Sequence, residues 1–270
     1  MSANSQHYYW AGGHVCMFLA GLRYLLAWVV FKGSGVSLWY KIAFVGAIVS
    51  YAIVVKKSLG YPKGSTWLRR ALADENFQYF LLSCFLLVNR PVGLAIIPFW
   101  TFSTFHVATF ARSTLIPKFI PPVPNPSGSG SSSPPVSKAI QFFIKKYYDP
   151  SMKVVSYVEV AIFARVLFGL LLRSNSLLTP IVYGIFLRSR YYQSPFTREA
   201  FKGIDSAILQ ALSHPQVGGA VPQATAYYNT LKTYLARAAG SLPAPTAPPA
   251  SATAADTSST PRASSANPAQ

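Results

Sequence analysis

Few residues of this 270-residue chain have types and settings suited to chemistry, and most of those are ions inside apolar runs: Arg23, Lys41, Glu159 and Arg165. An ion in hydrocarbon loses its hydration, so such a residue pairs, snorkels to the interface or lines a transport path. Lys41 stands three residues into its run and Glu159 about a turn and a half from the end of its own, so snorkelling can serve both. Arg23 and Arg165 lie near the middle of their runs, out of easy reach of the interface. Glu159 can also pair with Arg23 across a helix interface, or with neither arginine; a structural pair is favoured over a transport path. Glu159 and Arg165, six residues apart, do not share a helix face.

Catalytic constellations are not found. His7, His14, His106 and His214 have no acidic residue or cysteine at metal-ligand spacing, H-E-x-x-H and G-x-S-x-G are missing, and the GSGSSS run lacks the lysine of a phosphate loop. The sequence therefore predicts no enzyme, no metal and no cofactor. His106, closing a Ser/Thr-rich apolar arm, reads as an interhelical hydrogen-bond donor. Cys16 and Cys84 lie in apolar runs as buried thiols.

The elements that position these residues follow from composition. With 24 Lys and Arg against 7 Asp and Glu, a formal charge of +17, 51% apolar and only 11% charged residues, the chain does not suit a water-solvated globule. Its mean hydropathy is +0.30. The expected fold is an all-α integral membrane protein, residues 1–190 forming three helical hairpins: 12–31/38–55, 71–88/92–110 and 154–172/177–187. Asn89, Arg90 and Pro91 make the turn of the second hairpin, because Pro91 cannot continue a helix and disfavours helical geometry at Arg90. Pro98 reads as a kink. The last arm has 11 apolar residues, about 17 Å of helix against a core of about 30 Å. Residues 117–137, rich in Pro, Gly and Ser, read as a disordered linker, and 241–270 as a disordered tail. The start of the chain lacks a basic signal region, so no cleavage is expected.

Positive charge orients the hairpins. Segments 56–70, 111–153 and 188 onward hold five, six and seven Lys or Arg, eighteen in all, while the turns hold only Lys32, Arg90 and Arg173. Both termini are therefore expected in the cytosol. Residues 191–240 should form two amphipathic helices on the membrane surface. Phe196, Phe201, Ile204, Ile208 and Leu212 share one face beside Arg198 and Lys202; Tyr227, Tyr228, Leu231, Tyr234 and Leu235 share another beside Lys232 and Arg237. Aromatic and basic residues together suit a bilayer with anionic headgroups; the alternative is packing on the hairpins. Cations scattered over flanks between apolar runs argue against nucleic acid.

The stretch ALADENFQYFLLSCFLLVNRPVGLAIIPFWTFSTFHVATF, followed by LLTPIVYGIFLRSRYYQSPFTREAF, resembles the Krüppel-homologue family of endoplasmic-reticulum and nuclear-pore membrane proteins, which takes in transmembrane protein thirty-three and fungal pore-membrane proteins. The similarity spans about residues 10–212. It rests on the acidic-start helix with Asn89 before the proline hairpin, on His106-x-Ala108-Thr109, and on Tyr183 to Tyr192. The resemblance implies residence in the endoplasmic reticulum and nuclear envelope. It further implies association with reticulon-type membrane-shaping proteins and nuclear-pore components, and a role in tubular network organisation and pore assembly or distribution. Shaping or sensing of curvature joins that role to the amphipathic helices. The alternatives are a small channel or transporter, or a scaffold whose basic C-terminal segment recruits soluble partners such as nuclear-transport receptors.

Overall fold

Apolar runs too long to be shielded from water by one another fold into helices that present the remainder to lipid. The structure, a computed structural model, describes residues 3–30, 36–120, 123–124, 131–214 and 223–240. Helices α1 (Ala3–Val29) and α2 (Val36–Leu59) form the first hairpin. Helices α3 (Gly64–Ala73) and α4 (Glu75–Val88) meet at a bend of 84°. A 3-10 turn (Gly93–Ala95) leads into α5 (Ile96–Phe110), which continues through a π turn (Ala111–Leu115) into α6 (Ile116–Phe119). Strands β1 (Val123–Pro124) and β2 (Ser131–Ser132) pair antiparallel, Val123 opposite Ser132. Then come α7 (Pro135–Leu171), α8 (Leu178–Gln193), α9 (Pro195–Ser213) and α10 (Ala224–Gly240).

Four of these are long and apolar enough to cross a membrane: Ser5–Val29, Val36–Leu59, Gly93–Phe119 and Pro135–Leu171. Against the expected three hairpins with one short last arm, the structure has four full-length helices of this kind, a short α8, and an arm 71–88 that is broken at Asp74 into the bent pair α3–α4, which qualifies as a fifth span only if taken as one. Helices α4 and α8, 14 and 16 residues long, measure about 21 and 24 Å. The third hairpin departs furthest from expectation. Its first arm begins at Pro135, not at residue 154, and holds Pro150 inside the helix. Its second arm continues to Gln193. The presumed linker is correspondingly shorter, since 117–119 and 135–137 are helical. Pro98 stands in the first turn of α5, directly after the 3-10 turn, where proline is tolerated, and not at a mid-helix kink. Residues 241–270 lie outside the described residues.

The turns gather at one end of the bundle. Val92 N donates to Tyr40 Oη at 3.4 Å, and Gly93 lies against Trp28 and Tyr24, because a Cβ there would stand 3.0 Å from the Trp28 ring nitrogen. Asn89 closes α4 by donating from Nδ2 to Phe85 O at 2.8 Å, and Arg173, in the left-handed region at φ 54°, closes α7. At the opposite end His7 meets Thr114 at 3.3 Å, and Lys118 donates to Tyr8 Oη. The core between the ends is aromatic: Tyr40, Phe44, Tyr51, Tyr79, Phe99, Tyr183 and Phe186 are buried together, with Tyr51 stacked on Tyr79 at 5.7 Å. Helices α1 and α2 touch through glycines, the close approach that small residues permit in membranes. A Cβ on Gly46 would lie 2.6 Å from Gly13 O and 2.8 Å from Met17 N.

Candidate functional site

Three elements converge on one buried carboxylate. Asp74 caps α4 by accepting from Phe77 N at 2.8 Å, which starts the helix at Glu75, where the positive dipole end favours a carboxylate. Arg190 lies in the last turn of α8, the dipole end that favours a cation. Its Nη1 donates to Glu75 Oε1 at 2.5 Å, and its Nε is 3.6 Å from Oε2 of Glu159 on α7. Glu159 is fully buried, and its Oε1 accepts from Tyr79 Oη at 2.5 Å. The guanidinium also lies over the Tyr79 ring, 5.4 Å from its centroid. At 3.6 Å the Nε to Oε2 contact is an ion pair and not a hydrogen bond, and both atoms lack a hydrogen-bond partner among the described residues.

Glu159 therefore neither snorkels nor pairs with Arg23: its cation is Arg190. Arg23, Lys41 and Arg165 are exposed on the outside of the bundle, so the structure does not gather the intramembrane charges along a shared path. Closed to solvent, Glu159 anchors helices; it offers no open position to a substrate. Sequence reasoning counted Arg190 among the basic flanks and missed its role. The available signal was its place one helical turn after the Tyr183–Phe186–Leu187 core face.

The same turn ties down the bend. Gln193 Nε2 donates to Ala73 O at 2.9 Å, and Gln78 Nε2 to Leu72 O at 2.8 Å. Ser194 then caps α9, its Oγ accepting from Thr197 N at 3.3 Å. Helix α9 lies on α7 through the buried Ser156 and Thr197 hydroxyls, 3.4 Å apart, and through Lys153 and Glu199 at 2.8 Å. Arg198 reaches back to the carbonyls of Tyr191 and Tyr192, at 3.3 and 3.0 Å. The expected apolar face, Phe196, Phe201, Ile204, Ile208 and Leu212, is half-buried, and Lys202 is exposed. Packing on the hairpins accordingly accounts for the first half of α9.

Helix α10 differs. Asp205 of α9 accepts from Tyr228 Oη at 2.8 Å and from Lys232 Nζ at 2.8 and 2.9 Å. The Lys232 hydrogen bond, with that of Tyr228, holds the Asp205 carboxyl below its usual range. That face turns toward α9. The other leaves Tyr227, Leu231, Tyr234 and Leu235 between 55% and 65% exposed, with Arg237 also exposed.

A second polar cluster lies between α1 and α5. His14 is buried and its Nδ1 is 3.0 Å from Ser103 Oγ; His106 packs on the His14 ring at 4.4 Å and on Trp10 at 5.3 Å. The interhelical hydrogen bond expected of His106 belongs instead to His14. Among the described residues no group of three or more His, Cys, Asp or Glu is placed to hold a metal. Cys16 and Cys84 are free thiols.

A family model described as Transmembrane protein 33/Nucleoporin POM33 matches residues 1–237. The chain belongs to this family. The Transmembrane protein 33/Nucleoporin POM33 match supersedes the Krüppel-homologue label, which no comparison supports. The chain is 33% identical to the nucleoporin POM33 of Chaetomium thermophilum over 86% of its own length and 85% of the relative's. It is 31% identical to tetra-spanning protein 1 of Schizosaccharomyces pombe, over 84% and 82%. Human transmembrane protein 33 is 24% identical, over 55% and 57%. No solved structure matches the chain.

Proposed function

We propose that the protein organises membrane in the endoplasmic reticulum and at the nuclear envelope, shaping or sensing curvature from the cytosolic leaflet and supporting pore assembly or distribution. The observation that carries this reading is the exposed apolar face of α10, Tyr227, Leu231, Tyr234 and Leu235, beside Arg237, borne on a bundle with four helices long and apolar enough to span. An amphipathic helix held at a headgroup surface buries such a face among loosely packed lipids, which are commonest where a leaflet is convex. The nucleoporin and transmembrane names of its relatives support the location. The cytosolic setting of both termini rests on the charge bias, because every basic flank lies at the end opposite the turns. Reticulon-type proteins, nuclear-pore components and nuclear-transport receptors are the partner classes this reading admits; neither an enzymatic role nor a nucleic-acid partner is part of it.

The structure defines the truncation that tests this reading. Cutting the chain after residue 190 would remove Gln193 and Thr197, which hold the bundle, whereas ending it at residue 214 keeps both and removes residues 215–270, α10 included. The full chain, the shortened chain and Leu231→Asp/Tyr234→Asp should be reconstituted into liposomes of several sizes and imaged by electron microscopy. Tubulation or enrichment on small liposomes by the full chain alone is the expected result. Equal behaviour of all three at every size overturns the curvature reading and moves the scaffold reading ahead.

A further inference from the structure

Helix α7 is longer than a bilayer requires. Its 37 residues span about 55 Å, against roughly 20 residues for a 30 Å core. The excess lies at its start, before Lys153, and this arm is not featureless. Phe143 and Tyr148 both pack on Phe105 of α5, at 5.9 and 5.3 Å, so one side of the arm is fixed against the bundle. At 100° per residue the opposite side carries Lys138, Phe142, Lys145 and Lys146, spaced i, i+4, i+7 and i+8, with the exposed Asp149 one turn further on. The three lysines and Phe142 are exposed, Phe142 to 64%.

We propose that this outward face, residues 138–146, binds the headgroups of anionic phospholipid in the leaflet at the basic end of the bundle. The arm continues a membrane span, so its cations are delivered to the headgroup region by the chain itself. No carboxylate among the described residues pairs with Lys138, Lys145 or Lys146, in contrast to Lys153, which holds Glu199. The phenyl ring at the centre of the lysine face gives it an apolar group to set among acyl chains. Lys146 lies over the rings of Phe142 and Tyr147, at 5.5 and 5.4 Å, the pairing of cation and aromatic edge that settles at a bilayer interface. A further cation adjoins the arm: the π turn that packs against α7 carries Arg112, whose buried Nε has no hydrogen-bond partner among the described residues. Phe142 decides between a lipid and a free phosphate, because only a lipid offers acyl chains beside its anion.

The inference rests on the membrane reading and is independent of α10. Its test uses the full chain in nanodiscs of phosphatidylcholine, with and without phosphatidylserine, and follows hydrogen exchange across residues 136–150. Phosphatidylserine should slow exchange there, and high salt should abolish the effect. With the phosphatidylserine fraction of the disc titrated and each lysine contributing about fivefold, Lys138→Gln/Lys145→Gln/Lys146→Gln should lose roughly 100-fold in the apparent affinity for phosphatidylserine read from that exchange. The corresponding triple Lys→Arg variant should retain it. Equal exchange in both discs, or an unchanged response in the Gln variant, overturns the proposal. So does the same protection given in neutral discs by soluble inositol hexakisphosphate, which would assign the face to a free phosphate. Loss in the Arg variant as well would mean that the arm is held by packing and not by charge, and would also overturn it.

Discussion

Replacing Arg190 by alanine should destabilise the bundle chiefly through Glu159, a residue on another helix. In the intact protein the guanidinium serves two carboxylates of unequal exposure: the Glu75 side chain is 41% exposed, that of Glu159 not at all. When the guanidinium goes, Glu75 rehydrates, whereas Glu159 stays buried with only the Tyr79 hydroxyl at 2.5 Å. Breaking a buried pair on one side costs about 3–5 kcal/mol, and the surviving Tyr79 bond places this case near about 3 kcal/mol. For a chain of this size that lowers Tm by roughly 6–12 °C. Cys16 and Cys84, free and half-buried on α1 and α4, report the opening directly through a thiol-reactive dye during a thermal ramp in detergent. Removing both buried charges, Glu159→Gln/Arg190→Met, should recover most of the loss, while Glu75→Gln should cost less than about 1 kcal/mol because that partner is wet. An Arg190→Ala protein that melts with the wild type, or a Glu75→Gln protein that loses as much as Arg190→Ala, would refute the anchoring role of the pair.

Two further perturbations follow from named contacts. Gly46→Ala puts a methyl group 2.6 Å from Gly13 O and 2.8 Å from Met17 N, both backbone atoms, so α1 and α2 must separate; a loss of about 1–3 kcal/mol is expected in the same ramp, and an unchanged Tm would show that the glycines are not in contact. The docking of α10 on α9 should depend on pH. Asp205 has its carboxyl pKa depressed in the folded chain, so its contribution is present above the ordinary aspartate value near about 3.9 and disappears as pH falls through the lower folded value. Limited proteolysis between α9 and α10 should accelerate below that range in the wild type and at neutral pH in Asp205→Asn; resistance of Asp205→Asn at neutral pH would refute the contact.

What the sequence disclosed and what it hid separate along a physical line. Hydrophobic length and local breakers are properties of a segment, and they were legible: α4 ends at Asn89, before Pro91, and helices run over Pro195–Ser213 and Ala224–Gly240, whereas the arm 71–88, expected as one helix, breaks at Asp74. Long-range pairing is a property of two segments. Nothing local in Glu159 says that its cation is 31 residues on, at the end of α8, or that Gly13 and Gly46 meet. The start of α7 was hidden for another reason. Its aromatic and basic residues alternate too evenly to look like a span, and Pro150 looks like a boundary. A proline inside a helix forfeits one backbone bond, and a 37-residue helix can bear that loss.

The distribution of extra helix bears on the proposed curvature role as well as the amphipathic faces do. At the end that holds the turns, the chain crosses between helices in short connections around 89–92 and 172–177. At the other end it places α3, which lies at 84° to α4, together with the first half of α7 and all of α9 and α10. On the proposed reading this makes a wedge, broader at one membrane surface than at the other, and the contacts of Arg190, Gln193 and Ser194 fix α8, the bend at Ala73 and the cap of α9 in a single turn. A wedge of this kind favours a leaflet that is convex on its broad side. The basic flanks lie on that side, and if the charge bias places them in the cytosol, the favoured surface is the outside of a tubule or the rim of a pore. Reversing the orientation would reverse the curvature, so the sidedness of Lys145 and the shape of the liposome must agree. A protein that tubulates with Lys145 on the inner surface would refute the wedge even though it shapes membrane.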